Sequence, residues 1–345
     1  MVKRTLIVVH RWLGVALCAL FLVWFPSGIG MMYWDFPSVS AADRLDRSPA
    51  LDAATIRLSP SEAYARLNLD EAPPPQIRLD TFDGRPAYRF RFGGDDAIVY
   101  ADTGEEQVDV PQAMIDRAAS AWVRQPVGAA RVERLEEVDQ WTVQGAFSRL
   151  SPLWKYSWPN GEELYVSGLT GEVEQYTTTA SRLGAYVGAI PHWLYFTPLR
   201  KHGPQWSQVV IWTSAIGTVS AILGLVIALW MYSPSKRYRR GGMPTSIPYR
   251  GQKRLHAITG LIFGVAAITW AFSGMLSMDP FPQRTGGEAT ALRSGLAPNV
   301  PQALRGQFDL AAFNAKHPRE ALTELVGAQV KEIELTTFAG EPLYL

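Results

Sequence analysis

Residues 6–33 read LIVVHRWLGVALCALFLVWFPSGIGMMY, and residues 255–278 read LHAITGLIFGVAAITWAFSGMLSM. Placing the second on the first without a gap aligns His10, Gly14, Trp24, Ser27, Gly28 and Met32 with His256, Gly260, Trp270, Ser273, Gly274 and Met278. A bilayer core of roughly 30 Å takes about 20 helical residues to cross, and both stretches exceed that length. A third apolar run, Val209 to Tyr232, lies between them in the chain. The reading that follows is a membrane protein with an α-helical transmembrane bundle of three spans, the first and third being copies of one helix.

The remaining sequence repeats too. Ile77, Leu79, Thr81, Phe82, Gly84, Pro86 and Tyr88 match Ile333, Leu335, Thr337, Phe338, Gly340, Pro342 and Tyr344. Upstream of each, Pro60-Ser61-Glu62-Ala63 and Pro318-Arg319-Glu320-Ala321 open short helices, with proline in the first turn, where its missing N–H costs nothing. A smaller echo lies in Tyr100 to Glu105 and Tyr165 to Glu172, each closing an alternating strand with Thr-Gly-Glu. Short helices on alternating strands with glycine turns indicate α+β domains. The repeating unit is a span followed by such a domain, and the second copy stops at Leu345, in what should be a strand. The expectation is therefore a fragment or truncated product, with four spans in a complete chain; a natural three-span protein with an eroded second domain is the alternative.

Charge reports topology. The chain of 345 residues is 19% charged with a net charge of +1, so composition gives no reason to expect nucleic acid as a partner. Lys236, Arg237, Arg239, Arg240, Arg250, Lys253 and Arg254 crowd the link 233–254, and Lys3, Arg4 and Arg11 flank the first span. Basic residues mark cytoplasmic segments. The expected organisation is a first span within 1–33, an extracytoplasmic α+β region of two related halves at 34–206, a second span at 207–232, a cytoplasmic loop at 233–254, a third span at 255–278 and a second, incomplete extracytoplasmic domain at 279–345. The first apolar stretch is too long for a cleaved signal peptide, whose core runs about 7–15 residues. The single cysteine, Cys18, lies inside it, so the outer domains hold no disulfide.

An imidazole within a membrane is costly unless paired, solvated or ligating, which makes each such histidine a candidate site. Of five histidines, His10 and His256 sit at equivalent depth near the cytoplasmic ends of equivalent helices. Four and eight residues on, along the same face, stand Gly14 and Cys18, or Gly260 and Gly264. Such a bare strip suits a flat macrocycle held between two imidazoles, and equally suits close helix packing without a cofactor. His192 lies at the opposite side, before the second span, beside Trp193, Tyr195 and Phe196. It reads either as a ligand paired with an equivalent histidine before a fourth span or as a histidine in an interfacial aromatic belt. His202 reads as a loop residue and His317 as a solvated one. Thr213, Gly217, Ser220, Ala221 and Gly224 form a small-residue stripe that reads as helix packing. No glycine-rich dinucleotide fingerprint occurs, and the link 233–254 is too short for a nucleotide-binding domain, so, were the chain to carry electrons as the resemblance named next implies, they would have to come from quinol or a cytoplasmic donor.

The His-x-x-x-Gly opening of a span with Ser-Gly near its far end, the strands ending in Thr-Gly-Glu and the stretch His192 to Leu199 resemble PepSY-associated transmembrane proteins. The resemblance covers nearly the whole chain. It implies PepSY-like extracytoplasmic domains and a multi-pass location in a bacterial inner membrane with a cytoplasmic amino terminus. It also implies kinship with haem-containing reductases of ferric siderophores. His10, His256 and His192 would be axial ligands to the iron of haem b, and the activity that of a membrane-bound ferric reductase acting on a ferric siderophore or another ferric complex in the periplasm. Other members would be membrane-anchored binding or regulatory modules without redox activity, or accessory subunits of transporters with a periplasmic partner.

Overall fold

The structure is a computed structural model describing residues 1–92, 96–281, 306–325 and 327–345. Part of the second domain expected at 279–345 thus lies outside the described residues. The chain divides into two units, a helical one built from Met1–Phe36 with the stretch that begins at Leu183, and an α+β one built from Pro37–Arg182 with the carboxy-terminal residues.

In chain order the helices are α1 (Val2–Gly30), α2 (Ala41–Arg47), α3 (Pro60–Ala65), α4 (Gln112–Val123), α5 (Thr179–Val187), α6 (Ala189–Trp193), α7 (Thr197–Arg200), α8 (Gly203–Met231), α9 (Gly251–Leu276) and α10 (Pro318–Glu324). Three of them, α1, α8 and α9, are long and apolar enough to cross a membrane. Both α8 and α9 begin four residues earlier than the hydropathy alone suggested. For α8 the reason is Pro204, which fits a first turn, and for α9 it is Gly251, whose φ of +53° turns the chain into the helix. In α8, 22% of the most apolar window is buried against 6% in α1 and in α9, so α8 is the inner helix and the other two lean on it. Their outward residues, among them Val15, Leu22, Ile262, Phe263 and Val265, are exposed. A surface this apolar is stable against lipid, not water. The link between α8 and α9 carries a small hairpin, Tyr238–Arg240 with Met243–Thr245.

Among the described residues the α+β unit contains two antiparallel sheets. In the first, β1 (Ile77–Phe82), β2 (Arg85–Arg91), β3 (Asp96–Tyr100) and β4 (Glu106–Gln107) follow one another; the second holds β5 (Arg131–Leu135), β6 (Leu153–Ser157), β7 (Glu163–Ser167) and β8 (Val173–Thr177). The repeated carboxy-terminal hairpin, Ile333–Phe338 with Glu341–Tyr344, joins the first sheet beside β1. Its inner strand pairs Ile77 with Leu335, Arg78 with Glu334 and Leu79 with Ile333. Arg78 therefore faces its own repeat counterpart, and the two copies meet about a local two-fold axis. One core, including Ile56, Tyr88, Phe90, Phe313, Ile333 and Leu335, is shared by both copies.

Local signals explain the repeated pieces. Asp83 and Gly84 have φ of 48° and 79°, and Ala339 and Gly340 have 52° and 86°, so both hairpins close with two left-handed residues, the turn that matches strand twist. Gly104 and Gly171 also have positive φ, and each Thr-Gly-Glu turn makes the same two bonds: Gly104 N to the Tyr100 carbonyl and Tyr100 N to the Glu105 carbonyl, Gly171 N to the Ser167 carbonyl and Ser167 N to the Glu172 carbonyl. Ser59 and Glu62 form a capping box before α3. At the start of α10, the His317 Nδ1 accepts from Arg319 N at 3.1 Å, so this half-buried histidine is a helix cap and not a freely solvated side chain.

Candidate functional site

The His10 imidazole of α1 reaches across to α8. Its Nδ1 lies 3.0 Å from the Ser220 carbonyl oxygen. A carbonyl only accepts, so Nδ1 carries the proton and donates, leaving Nε2 with a free lone pair. The Ser220 carbonyl is open because the residue one turn on is Gly224: a Cβ there would stand 2.7 Å from His10 Cε1. The glycine read from sequence as packing is thus the seat of a candidate ligand.

His256 of α9 faces His10 with ring centroids 6.0 Å apart and planes inclined by 24°. Two imidazoles that ligate one metal ion from opposite sides, each through a nitrogen about 2 Å from it and aimed at it in the ring plane, have centroids about 6 Å apart, so the pair matches that spacing; the stacked His192 and Trp270 rings match it as well. The His256 ring has no hydrogen-bond partner among the described residues and is exposed. A Cβ added at Gly14 or at Gly260, one turn along from each histidine, would meet nothing within 4 Å. The pair expected at equal depth is brought together, beside open space on both helices.

A second seat of the same design lies about 20 Å further along α1, at 1.5 Å per residue. There His192 of α6 places Nδ1 3.1 Å from the Trp24 carbonyl oxygen and 3.3 Å from Ser27 Oγ. Gly28, one turn after Trp24, leaves the room: its Cβ would lie 3.0 Å from His192 Cε1 and 3.0 Å from Trp270 Cζ2. In both seats a helix carbonyl at position i holds an imidazole over a glycine at i+4. The His192 and Trp270 rings are near-parallel with centroids 5.9 Å apart. Beside them opens a cavity of about 360 Å³ lined by Trp24, Phe25, His192, Tyr195, Trp270 and Met278 among others. No second histidine stands opposite His192 among the described residues. His202 is the residue before α8 and takes no part in either seat.

In the α+β unit, charge is buried on the sheet face opposite the shared core. Arg78 Nε bonds Asp80 at 2.8 Å, Arg89 Nε bonds the same carboxylate at 3.1 Å, and Arg78 also pairs with Glu172. Burial would raise the Glu172 pKa, but Arg89, Arg78 and Arg91 outweigh it and hold the group at about 2. Glu174 goes the other way: burial first, then the neighbouring Glu172 charge, push it up to about 7. Nothing in the sequence alone ties Glu172 to Arg78 and Arg89, although arginines alternating along one strand were a visible sign.

No model of a known family, no curated protein and no solved structure matches this chain.

Proposed function

We propose that this protein is a haem-binding transmembrane electron carrier that reduces a ferric complex outside the membrane. The observation that supports it is the His10–His256 pair, with centroids 6.0 Å apart and the His10 Nδ1 proton committed to the Ser220 carbonyl. Tying Nδ1 to a carbonyl fixes tautomer and ring orientation, which is how histidine ligands are commonly prepared. His10 and His256 would hold the iron of haem b, and the unfilled faces at Gly14 and Gly260 would receive the macrocycle. His192, seated the same way, would serve as ligand at the other end, with a second imidazole from another segment.

The bound group would supply one-electron redox chemistry within a span that has none of its own. The helices provide ligation and orientation and keep water away. Hard oxygen donors favour ferric over ferrous iron, so a delivered electron weakens the outer complex and releases its metal. In this reading the basic residues of 233–254 keep that loop cytoplasmic, the PepSY-like α+β unit lies in the periplasm of a bacterial inner-membrane protein, and quinol or a cytoplasmic protein is the donor. A second reading, a membrane-anchored binding module without redox activity, draws support from the arginine cleft of the α+β unit. An absorption spectrum of the detergent-purified full-length protein separates them. A Soret band that shifts on dithionite addition is expected of the carrier; a colourless protein that stays colourless after haem is supplied would overturn it.

A further inference from the structure

The sheet face opposite the shared core gathers the guanidinium groups of Arg78, Arg89 and Arg91. Arg78 of β1 stands directly across from Arg89 of β2, and Arg91 lies two residues further on the same face. Like charges opposite one another in a sheet are destabilising. A buried ion network of this kind can usually be replaced by apolar side chains without loss of stability, so packing alone gives no reason to keep it.

The arginines are braced from behind. Asp80 bonds Arg78 and Arg89, Glu172 contacts Arg78, Arg89 and Arg91, and Asp96 takes both Nε and Nη2 of Arg91. Arg44 of α2 closes one side through a two-point bond to Glu332, at 2.9 Å for each contact. After these bonds one terminal nitrogen remains on each guanidinium, Nη1 of Arg44, Arg78 and Arg91 and Nη2 of Arg89, with no partner among the described residues. Those of Arg44, Arg78 and Arg89 are not shut away from solvent, and Arg91 is itself an exposed residue. They surround a cleft of about 220 Å³. The side chains are held still: that of Arg89 is 6% exposed and that of Arg78 15%. Glu334, across from Arg78, lines the same cleft, and its side chain is exposed and makes no bond among the described residues.

We propose that this cleft binds a small carboxylate-bearing molecule, its carboxylate groups held by the free nitrogens of Arg44, Arg78, Arg89 and Arg91 and an adjacent hydroxyl or ammonium group donating to Glu334. Guanidinium presents planar donors that match a carboxylate, and rigid, pre-braced donors lose little entropy on binding. The volume fits a small hydroxy acid. This inference does not depend on haem, so it stands or falls separately from the electron-carrier reading.

The test is thermal unfolding and calorimetric titration of the full-length protein in detergent with citrate, at constant ionic strength against chloride. Citrate is expected to raise the melting temperature saturably where chloride does not. Arg91→Gln and Arg44→Gln each keep a donor for the carboxylate they leave behind, and each is expected to weaken citrate binding on the order of tenfold. Two variants are used so that one that fails to fold leaves the other to decide. No saturable effect of citrate on the unaltered protein, or unchanged affinity in every variant that folds, overturns the proposal. Repeating the titration with ferric citrate separates the sources of the ligand. Tighter binding of the iron complex would make the cleft a substrate site, and equal binding would make it a site for the free acid.

Discussion

Replacing Gly224 by alanine tests the His10 seat most economically. The added Cβ would sit 2.7 Å from His10 Cε1, 3.2 Å from Nε2 and 3.3 Å from Nδ1, whereas ordinary contact begins near 3.4 Å. The imidazole must therefore withdraw by roughly 0.7 Å, which lengthens its 3.0 Å bond to Ser220 and shifts the ring from its place 6.0 Å from that of His256. Loss of a bond that orients a metal-ligating histidine lowers metal affinity about 10- to 100-fold. The helix itself should not suffer, because alanine is favoured over glycine in a helix interior by about 1 kcal/mol. The assay is haem content and the reduced absorption spectrum of the purified variant. Gly217→Ala is the control: it lies on the same helix, and its Cβ would meet Phe21 at 3.1 Å and Ala271 at 3.9 Å, with neither histidine among its nearest contacts. It should retain haem. If Gly224→Ala folds and binds haem as the parent does, the seat plays no part in ligation and the reasoning from glycine to ligand fails.

Glu174 and Glu172 set opposite slopes of stability with pH. Glu172, held at about 2, contributes stability above about pH 4.5 that is lost as pH falls towards 2; Glu174, raised to about 7, costs stability as pH rises from about 4.5 through 7. Glu174→Gln should remove up to about 3 kcal/mol of that second loss, seen as a smaller fall in melting temperature between pH 5 and 7.5, and an unchanged fall would show that Glu174 titrates normally. Ala339 has φ of 52°, a region costing a residue with a Cβ about 1–2 kcal/mol, so Ala339→Asn should raise the melting temperature, with no change counting against the turn. Reporter fusions should place residues 233–254 in the cytoplasm and Asp102 outside; a periplasm-active reporter that works near Arg240 and fails near Asp102 would reverse the topology.

The spans and both repeats were legible because each rests on local signals: length of apolar run, glycine at positive φ, proline in a first turn. Gly84 and Gly340 adopt φ of 79° and 86°, as one ancestral turn requires. That the two hairpins would pair with each other, Arg78 against Glu334, was not legible, since strand pairing between distant segments leaves no periodic trace. Equal depth of His10 and His256 followed from the ungapped repeat. Their seats did not, because Gly224 and Gly28 look like any small residue at a helix crossing until the imidazole that fills the space is placed. The arginine cleft escaped notice for a related reason: Arg78, Arg89 and Glu332 come from three strands or strand ends, and only the fold makes them neighbours.

The central claim is that His10 and His256 share one metal centre, and the direct measurement is the reduced absorption spectrum and haem content of His10→Ala and His256→Ala beside the parent protein. Neutral imidazole is the ligating form, and the two rings lie 6.0 Å apart, so each substitution should strip or alter the same haem signal and the two variants should look alike. Full haem content and an unchanged reduced spectrum in both variants would contradict the account.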